Sequence, residues 1–407
     1  MLDALSSDGL ISFFPVLLPL LMALSGWLMI KLVHFMSLWP KQFVGLFNLI
    51  GWQGQLHKNE PLYIQYWSRG LLEKLTGIQQ VFEFIGPEKL VSHLLGNLRP
   101  QIDGIIDEVM DEDNSVLWEN LPVLVKNRFY ARTHRLLPRI VDDIVEELGD
   151  SLGRMVSFPK LLEFTEQQSP GTLKAFYENL SARTYKSMGR FCAWLGFGVG
   201  VVQCVLAIVL DVNDYLFWCL SGAFSCFFFF WLCQHWIKYP YQPVELGKWH
   251  LRSPYEKFRK QQDDELAQLL ANRILSIENI SNYLIHGSKT RHAHIIIKKR
   301  VAALVEDVNV RTFVQLTVGP IGYVELKRTL TDKLTDALLE PLQEEHFNKA
   351  RAERVEAFLR KRLEKMETAI FYDQLKHILD PVAIVGGIGG FWIGAAIGSA
   401  QWLLLQI

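Results

Sequence analysis

The chain has 407 residues, 50% of them hydrophobic and 21% charged, with a formal net charge of −1 and a mean hydropathy of +0.13. The hydropathy is high for a soluble enzyme, and the charge content is too high for a chain lying wholly in lipid. The near-zero charge balance speaks against a nucleic-acid partner.

The charges are confined. Leu10–Ile30, Phe191–Leu210 and Pro381–Ile407 contain none, and Tyr215–Ile237 has only His235 as an ionisable group. A hydrocarbon core of about 30 Å is crossed by about 20 helical residues. The sequence therefore predicts four transmembrane helices, over 10–30, 191–210, 215–237 and 381–407. The first lacks the basic n-region of a secretory signal and reads as a retained membrane helix.

All 42 Lys and Arg residues fall within 31–190 or 238–376. By the positive-inside rule, both polar segments lie in the cytoplasm and both termini outside, as in a bacterial inner-membrane protein. All five cysteines, Cys192, Cys204, Cys219, Cys226 and Cys233, fall in the second and third spans. They form neither a disulfide framework nor a zinc pattern and read as packing residues.

Between the first two spans lies the first helical cytoplasmic segment, 31–190. Its start, 32–52, is aromatic-rich (Phe35, Trp39, Phe43, Phe47, Trp52) and reads as an interfacial helix or a linker helix. Further on, Leu90, Leu94, Leu98, Ile102, Ile106 and Val109 make one apolar stripe, and Leu137, Val141, Ile144, Leu148 and Leu152 another. Spacings of three and four define amphipathic helices. Pro122, Pro138, Pro159 and others punctuate them. The acidic run Asp107–Asp113 lacks the ordered spacing of a calcium loop and reads as a solvated turn between helices.

The second segment, 238–380, repeats the theme. Leu266, Leu270, Ile274, Ile277 and Leu284 make one stripe; Leu330, Leu334 and Leu338, then Val355, Leu359 and Leu363, make others. The β-leaning runs His294–Lys298 and Arg311–Val318 are read as helix. His286, His292 and His294 sit among Lys and Arg residues that oppose a cation. The basic run His346–Lys365 is interleaved with Glu and reads as a salt-bridged face, with anionic headgroups as an alternative partner.

Each polar segment opens on a similar junction: Trp39-Pro40-Lys41-Gln42 then Gly51-Trp52, and Tyr239-Pro240-Tyr241-Gln242 then Gly247-Lys248-Trp249. A parallel internal duplication follows as an expectation. Lys31, Trp39, Trp52, Lys238, Tyr239 and Trp249 are the expected membrane-interface residues. In the last span Gly386, Gly390, Gly394 and Gly398 recur every fourth residue. Such a glycine zipper marks close helix packing in lipid.

The residues Gly26-Trp27, Lys31, Trp39-Pro40, Gly51-Trp52-Gln53-Gly54 and Trp118-Glu119-Asn120-Leu121-Pro122, with the glycine-rich last span, resemble a bacterial membrane family catalogued as domain of unknown function 445. The resemblance implies membrane anchoring and a largely helical cytoplasmic part. It carries no activity, catalytic residue or cofactor.

The expected fold is all-α, with four transmembrane helices and two helical cytoplasmic segments. No phosphate loop, zinc motif or serine elbow is present, so neither a catalytic residue, a cofactor nor a metal is assigned. The expected function is a non-enzymatic scaffold or assembly module: a homo-oligomer in contact with membrane lipids, with no nucleic-acid partner. The alternative is a lipid-binding or lipid-transfer protein whose stripes face a cavity; a channel or transporter comes third.

Overall fold

The computed structural model describes residues 7–46, 50–210, 214–238, 244–246, 249–251, 254–287 and 290–405. In the first half these form α1 (Ser7–Leu38), β1 (Val44–Leu46), β2 (Ile50–Trp52), α2 (Gln55–Lys58), α3 (Glu60–Trp67), a π-helix (Ser68–Leu72), α4 (Glu73–Leu75), α5 (Ile78–Ile85), α6 (Pro87–Glu119), α7 (Val123–Met155), α8 (Phe158–Gln168) and α9 (Thr172–Leu210). In the second they form α10 (Tyr215–Lys238), β3 (Val244–Leu246), β4 (Trp249–Leu251), α11 (Pro254–Leu269), a π-helix (Leu270–Ile274), α12 (Ile277–His286), α13 (Thr290–Glu306), α14 (Val308–Leu339), a 3₁₀ turn (Glu340–Gln343), α15 (Glu345–Glu364) and α16 (Thr368–Leu405). Among the described residues the fold is all-α apart from two short hairpins, and 294–298 and 311–318 are helical as expected.

The order of elements repeats. Each half runs helix, hairpin, helix, π-helix and short helix, then two further helices, an amphipathic helix and a helix ending in apolar sequence. Among the described residues two helices are long and apolar enough to cross a membrane, Leu17–Leu38 and Thr172–Leu206; Tyr215–Phe229 is a shorter apolar helix.

Among the described residues of 39–52 no helix forms. Here α1 ends at Leu38, before Pro40, which lacks an amide donor. β1 and β2 then pair antiparallel, with Gly45 opposite Gly51. The Gly-Trp-Gln-Gly run ties this hairpin to the end of α1. Trp52 Nε1 donates to Met36 O at 3.0 Å, Gln53 Nε2 to Lys41 O at 2.9 Å, and Gly54 N to Pro40 O at 2.9 Å. A Cβ on Gly51 would meet Gly45 Cα, and one on Gly54 would lie 2.7 Å from the Leu38 carbonyl carbon. The aromatic pattern suggests a helix, but the glycine pair and the proline select a hairpin.

The chain divides into two compact units. The first comprises Met1–Leu71, Leu173–Leu266 and Met366–Ile407; the second comprises Leu72–Thr172 and Ala267–Lys365. Both therefore draw on both halves, and the polar stretches 31–190 and 238–380 do not make one lobe each.

In the first unit, α1, α9, α10 and α16 carry the apolar sequence, and α2, α3 and α11 the polar ends. Trp67 stacks on Phe176 at 4.6 Å, and both are fully buried. Gln262 Nε2 donates to Leu180 O at 3.2 Å, joining α11 to the polar half of α9. Arg259 reaches from α11 to Thr368 Oγ1 at 2.5 Å, and its guanidinium lies 5.5 Å from the Phe371 ring centre.

In the second unit the halves exchange partners. α6 packs on α14 and α7 on α13, while α5 packs on α15 and α8 on α12. The stripes Leu90, Leu94, Leu98, Ile102 and Ile106 of α6, and Val141, Ile144 and Val145 of α7, join Leu326, Leu330, Leu334 and Leu338 of α14 in one buried cluster. Burying each such side chain contributes about 1.5–3 kcal/mol. That burial overrides two proline signals: Pro100 and Pro138 lie inside α6 and α7, where an interior proline costs about 3 kcal/mol. Pro320 likewise falls within α14.

The acidic run 107–113 is not a turn between helices but the middle of α6. Asp107 Oδ1 accepts from Trp118 Nε1 at 3.1 Å and from the Tyr130 hydroxyl. Glu112 and Glu108 pair with Lys333 of α14 at 2.8 and 3.1 Å. Asp107 thus ties α6 to α7 within one half, and Glu108 and Glu112 serve the contact between halves.

Candidate functional site

Glycine sets the closest helix contacts of the first unit. On α16, a Cβ on Gly394 would run into the carbonyl oxygen of Gly222, and one on Gly398 into that of Trp218, both on α10. A Cβ on Gly390 would lie 2.6 Å from Met29 Cε of α1. Gly386 lies in the helical backbone of α16, but its surroundings are outside the described residues. The glycine face thus meets helices of its own chain at three successive turns, the geometry that lets backbones approach in an apolar medium.

The same device joins α1 to α9. A Cβ on Gly196 would strike the Met22 carbonyl, one on Gly200 would strike Pro19, and one on Gly26 the Cys192 carbonyl. Sequence reasoning missed this second set. Its signal is a repeat: Gly189, Gly196, Gly200 and Gln203 correspond to Gly387, Gly394, Gly398 and Gln401 at a constant spacing.

The two glutamines are buried among apolar helices, Gln203 at 3% exposure and Gln401 at 0%. Gln203 Nε2 donates to Ser221 Oγ of α10 at 2.6 Å. Gln401 has no hydrogen-bond partner at either amide atom.

Cys192 is disulfide-bonded, whereas Cys204, Cys219 and Cys226 are free thiols. This corrects the packing reading for Cys192, while Cys226 is buried as that reading expects and the side chain of Cys233 lies outside the described residues. Spacing along two helices does not reveal which thiols meet across them.

The expected interface residues divide. Lys31 lies with its Nζ 5.6 Å from the Trp27 ring centre. Trp39 is 43% exposed, and Trp52 is tied to α1 as above. Tyr239 and the side chains of Lys238, Trp249 and His235 lie outside the described residues. Lys31 and Trp39 line an open groove with Leu28, His34, Phe35, Lys174 and Glu178, between α1 and the first turns of α9.

In the second unit the stripes close on one another and leave an apolar cavity of about 80 Å³ beside Leu94, Val145, Leu148, Ile280 and Leu284. Ion pairs frame this core across the halves. Arg132 lies 2.8 Å from Asp307, and Arg300 lies 2.5 Å from Glu147. Hydrogen bonding to those carboxylates raises both guanidinium pKa values further. Burial, then the hydrogen bond to Asp107, pushes the Tyr130 phenol above its ordinary range. In the first unit, burial raises the Tyr63 phenol to about 12. Among the described residues no group of three His, Cys, Asp or Glu side chains could hold a metal.

No protein-family model matches this chain, and neither does any curated protein or solved structure.

Proposed function

We propose that the chain is a multi-pass inner-membrane protein whose interlocked helical unit is a non-enzymatic scaffold or assembly module. In this reading α1, the apolar end of α9, α10 and the apolar end of α16 are four spans. Both polar segments are cytoplasmic and both termini outside. The halves derive from a parallel duplication, and the chain belongs with the family it resembles. The charge asymmetry supports the topology. Repeated element order and exchanged packing support the duplication.

One observation carries the scaffold reading: the amphipathic stripes of both halves bury one another in a single closed core. Such a core makes a stiff body. The cavity it leaves, about 80 Å³, is smaller than the roughly 150 Å³ hollow that holds one benzene. A lipid carrier needs far more room. Val116, Val123 and Leu124, at the α6–α7 turn, are 67, 71 and 75% exposed, and an apolar tip of this kind suits contact with a second copy.

Native mass spectrometry from lipid nanodiscs tests the assembly. Multiples of the 46.9 kDa chain are expected; monomers without any bound protein would overturn it. For topology, Gln101→Cys and Lys349→Cys should react with an impermeant maleimide from the same face of inverted vesicles. Labelling from opposite faces would overturn the arrangement.

A further inference from the structure

The groove between α1 and the start of α9 has no part in the scaffold reading. Its volume is about 510 Å³, within the range of small-ligand sites. Lys31, Phe35 and Leu38 follow one another along α1 at helical spacing, and Lys174 and Glu178 lie one turn apart on α9. Its apolar side chains are open: Leu28, one turn before Lys31 on the span side, is 45% exposed, and Phe35, one turn after it, is 56% exposed.

The charges in the groove do not cancel. Lys174 Nζ sits 3.6 Å from Glu178 Oε1, so that pair is self-compensated. Lys31 has no carboxylate partner among the described residues and rests against Trp27. The groove therefore keeps the charge of one cation. His34 Nδ1, at its edge, is buried and has no hydrogen-bond partner. Lys174 also stands in the first turn of α9, the positive end of that helix.

One surplus cation with open apolar surface on its span side matches a lipid with one phosphodiester charge. We propose that this groove seats a single glycerophospholipid whose headgroup is hydroxyl-bearing and carries one net negative charge. An acyl chain runs from Lys31 along Leu28 into the span, the phosphate faces Lys31, Phe35 covers the headgroup side, and the headgroup hydroxyls donate to Glu178. A zwitterionic headgroup would leave the Lys31 charge unmatched. The inference rests on the reading that α1 and α9 cross a bilayer.

The test uses the full chain in nanodiscs of equal phosphatidylglycerol and phosphatidylethanolamine, with lipids retained after collisional release counted by native mass spectrometry. One phosphatidylglycerol is expected to persist in preference to phosphatidylethanolamine. Lys31→Gln should lower its retention about fivefold, the attraction of one lysine to an anionic lipid surface. Lys31→Arg should restore it, and Lys41→Gln, outside the groove, should leave it unchanged. Equal retention of both lipids, preference for phosphatidylethanolamine, or an unaltered Lys31→Gln protein would overturn the site. Recovery of the wild-type chain only in the soluble fraction would overturn the membrane reading instead.

Discussion

Gln203 of α9 donates to Ser221 of α10 at 2.6 Å, while Gln401, its counterpart in the second half, is wholly buried with both amide atoms unpartnered. One half of the repeat pairs the amide nitrogen and leaves only Oε1 unpartnered; the other leaves both amide atoms bare. An unsatisfied buried polar group costs about 1–3 kcal/mol. Gln401→Met should therefore raise the thermal unfolding midpoint in detergent. Gln203→Met should lower it, because it strands the Ser221 hydroxyl. Equal shifts in the two variants would contradict the asymmetry.

The glycines sort by what a methyl group would meet. At Gly222, Gly394 and Gly398 it would meet facing backbone, which cannot swing aside. Alanine there should force α10 and α16 apart and destabilise by about 1–3 kcal/mol. At Gly198 and Gly389 nothing lies within 4 Å, so alanine should gain up to about 1 kcal/mol of helix propensity. Unfolding midpoints of the five single variants check this ordering.

The cavity in the second unit makes a graded prediction. Val145→Ile adds one methylene to a wall of the 80 Å³ void and should stabilise by about 0.5–1 kcal/mol, as cavity filling commonly does. Leu94→Ala, on the same wall, enlarges the void and should cost about 2–5 kcal/mol. Urea midpoints with unchanged slopes would give both values; a neutral Leu94→Ala would show that the stripe is not core.

How far this was legible in the sequence differs by element. The stripes of α6 and α7 are plain because 3.6-residue periodicity is a property of each helix alone. What they bury against is not, since α6 has amphipathic neighbours in both halves and nothing local selects α14. The hairpin at 44–52 was hidden by its aromatics, which fit an interfacial helix equally well; only the facing glycines, Gly45 and Gly51, argue for strands. The α16 glycines announce themselves by regular spacing. Those of α9 are diluted by Cys192, which occupies the place of Gly390, so the repeat emerges only after the two helices are seen to make the same contact.

Tyr63 gives a pH dependence. Burial raises its phenol from 10 to about 12, so the folded state favours the neutral form more than the unfolded state does. That stabilisation is complete below pH 10 and is lost as the pH rises towards 12, at about 1.4 kcal/mol per unit. Tyr63→Phe cannot ionise and should lose less stability between pH 10 and 12 than the parent chain. Parallel losses would show that the Tyr63 phenol does not ionise differently on unfolding.

The exchanged packing makes the largest claim. In the second unit α6 finds its partner in α14 and α7 in α13. A chain ending at Leu210 therefore keeps its stripes but loses what covers them. Leu98, Ile102 and Ile106, each at 1% exposure or less, would face water or aggregate. Neither half should fold alone: each should show non-cooperative melting and rapid proteolysis across 72–172 or 267–365. Co-expressing residues 1–210 with 214–407 should restore the fold, because the break falls between α9 and α10 and leaves every helix pair intact. The rejoined pair should melt cooperatively, with a midpoint that rises with the concentration of the two fragments. A first half that melts cooperatively by itself, or two halves that do not associate, would rule the exchanged arrangement out.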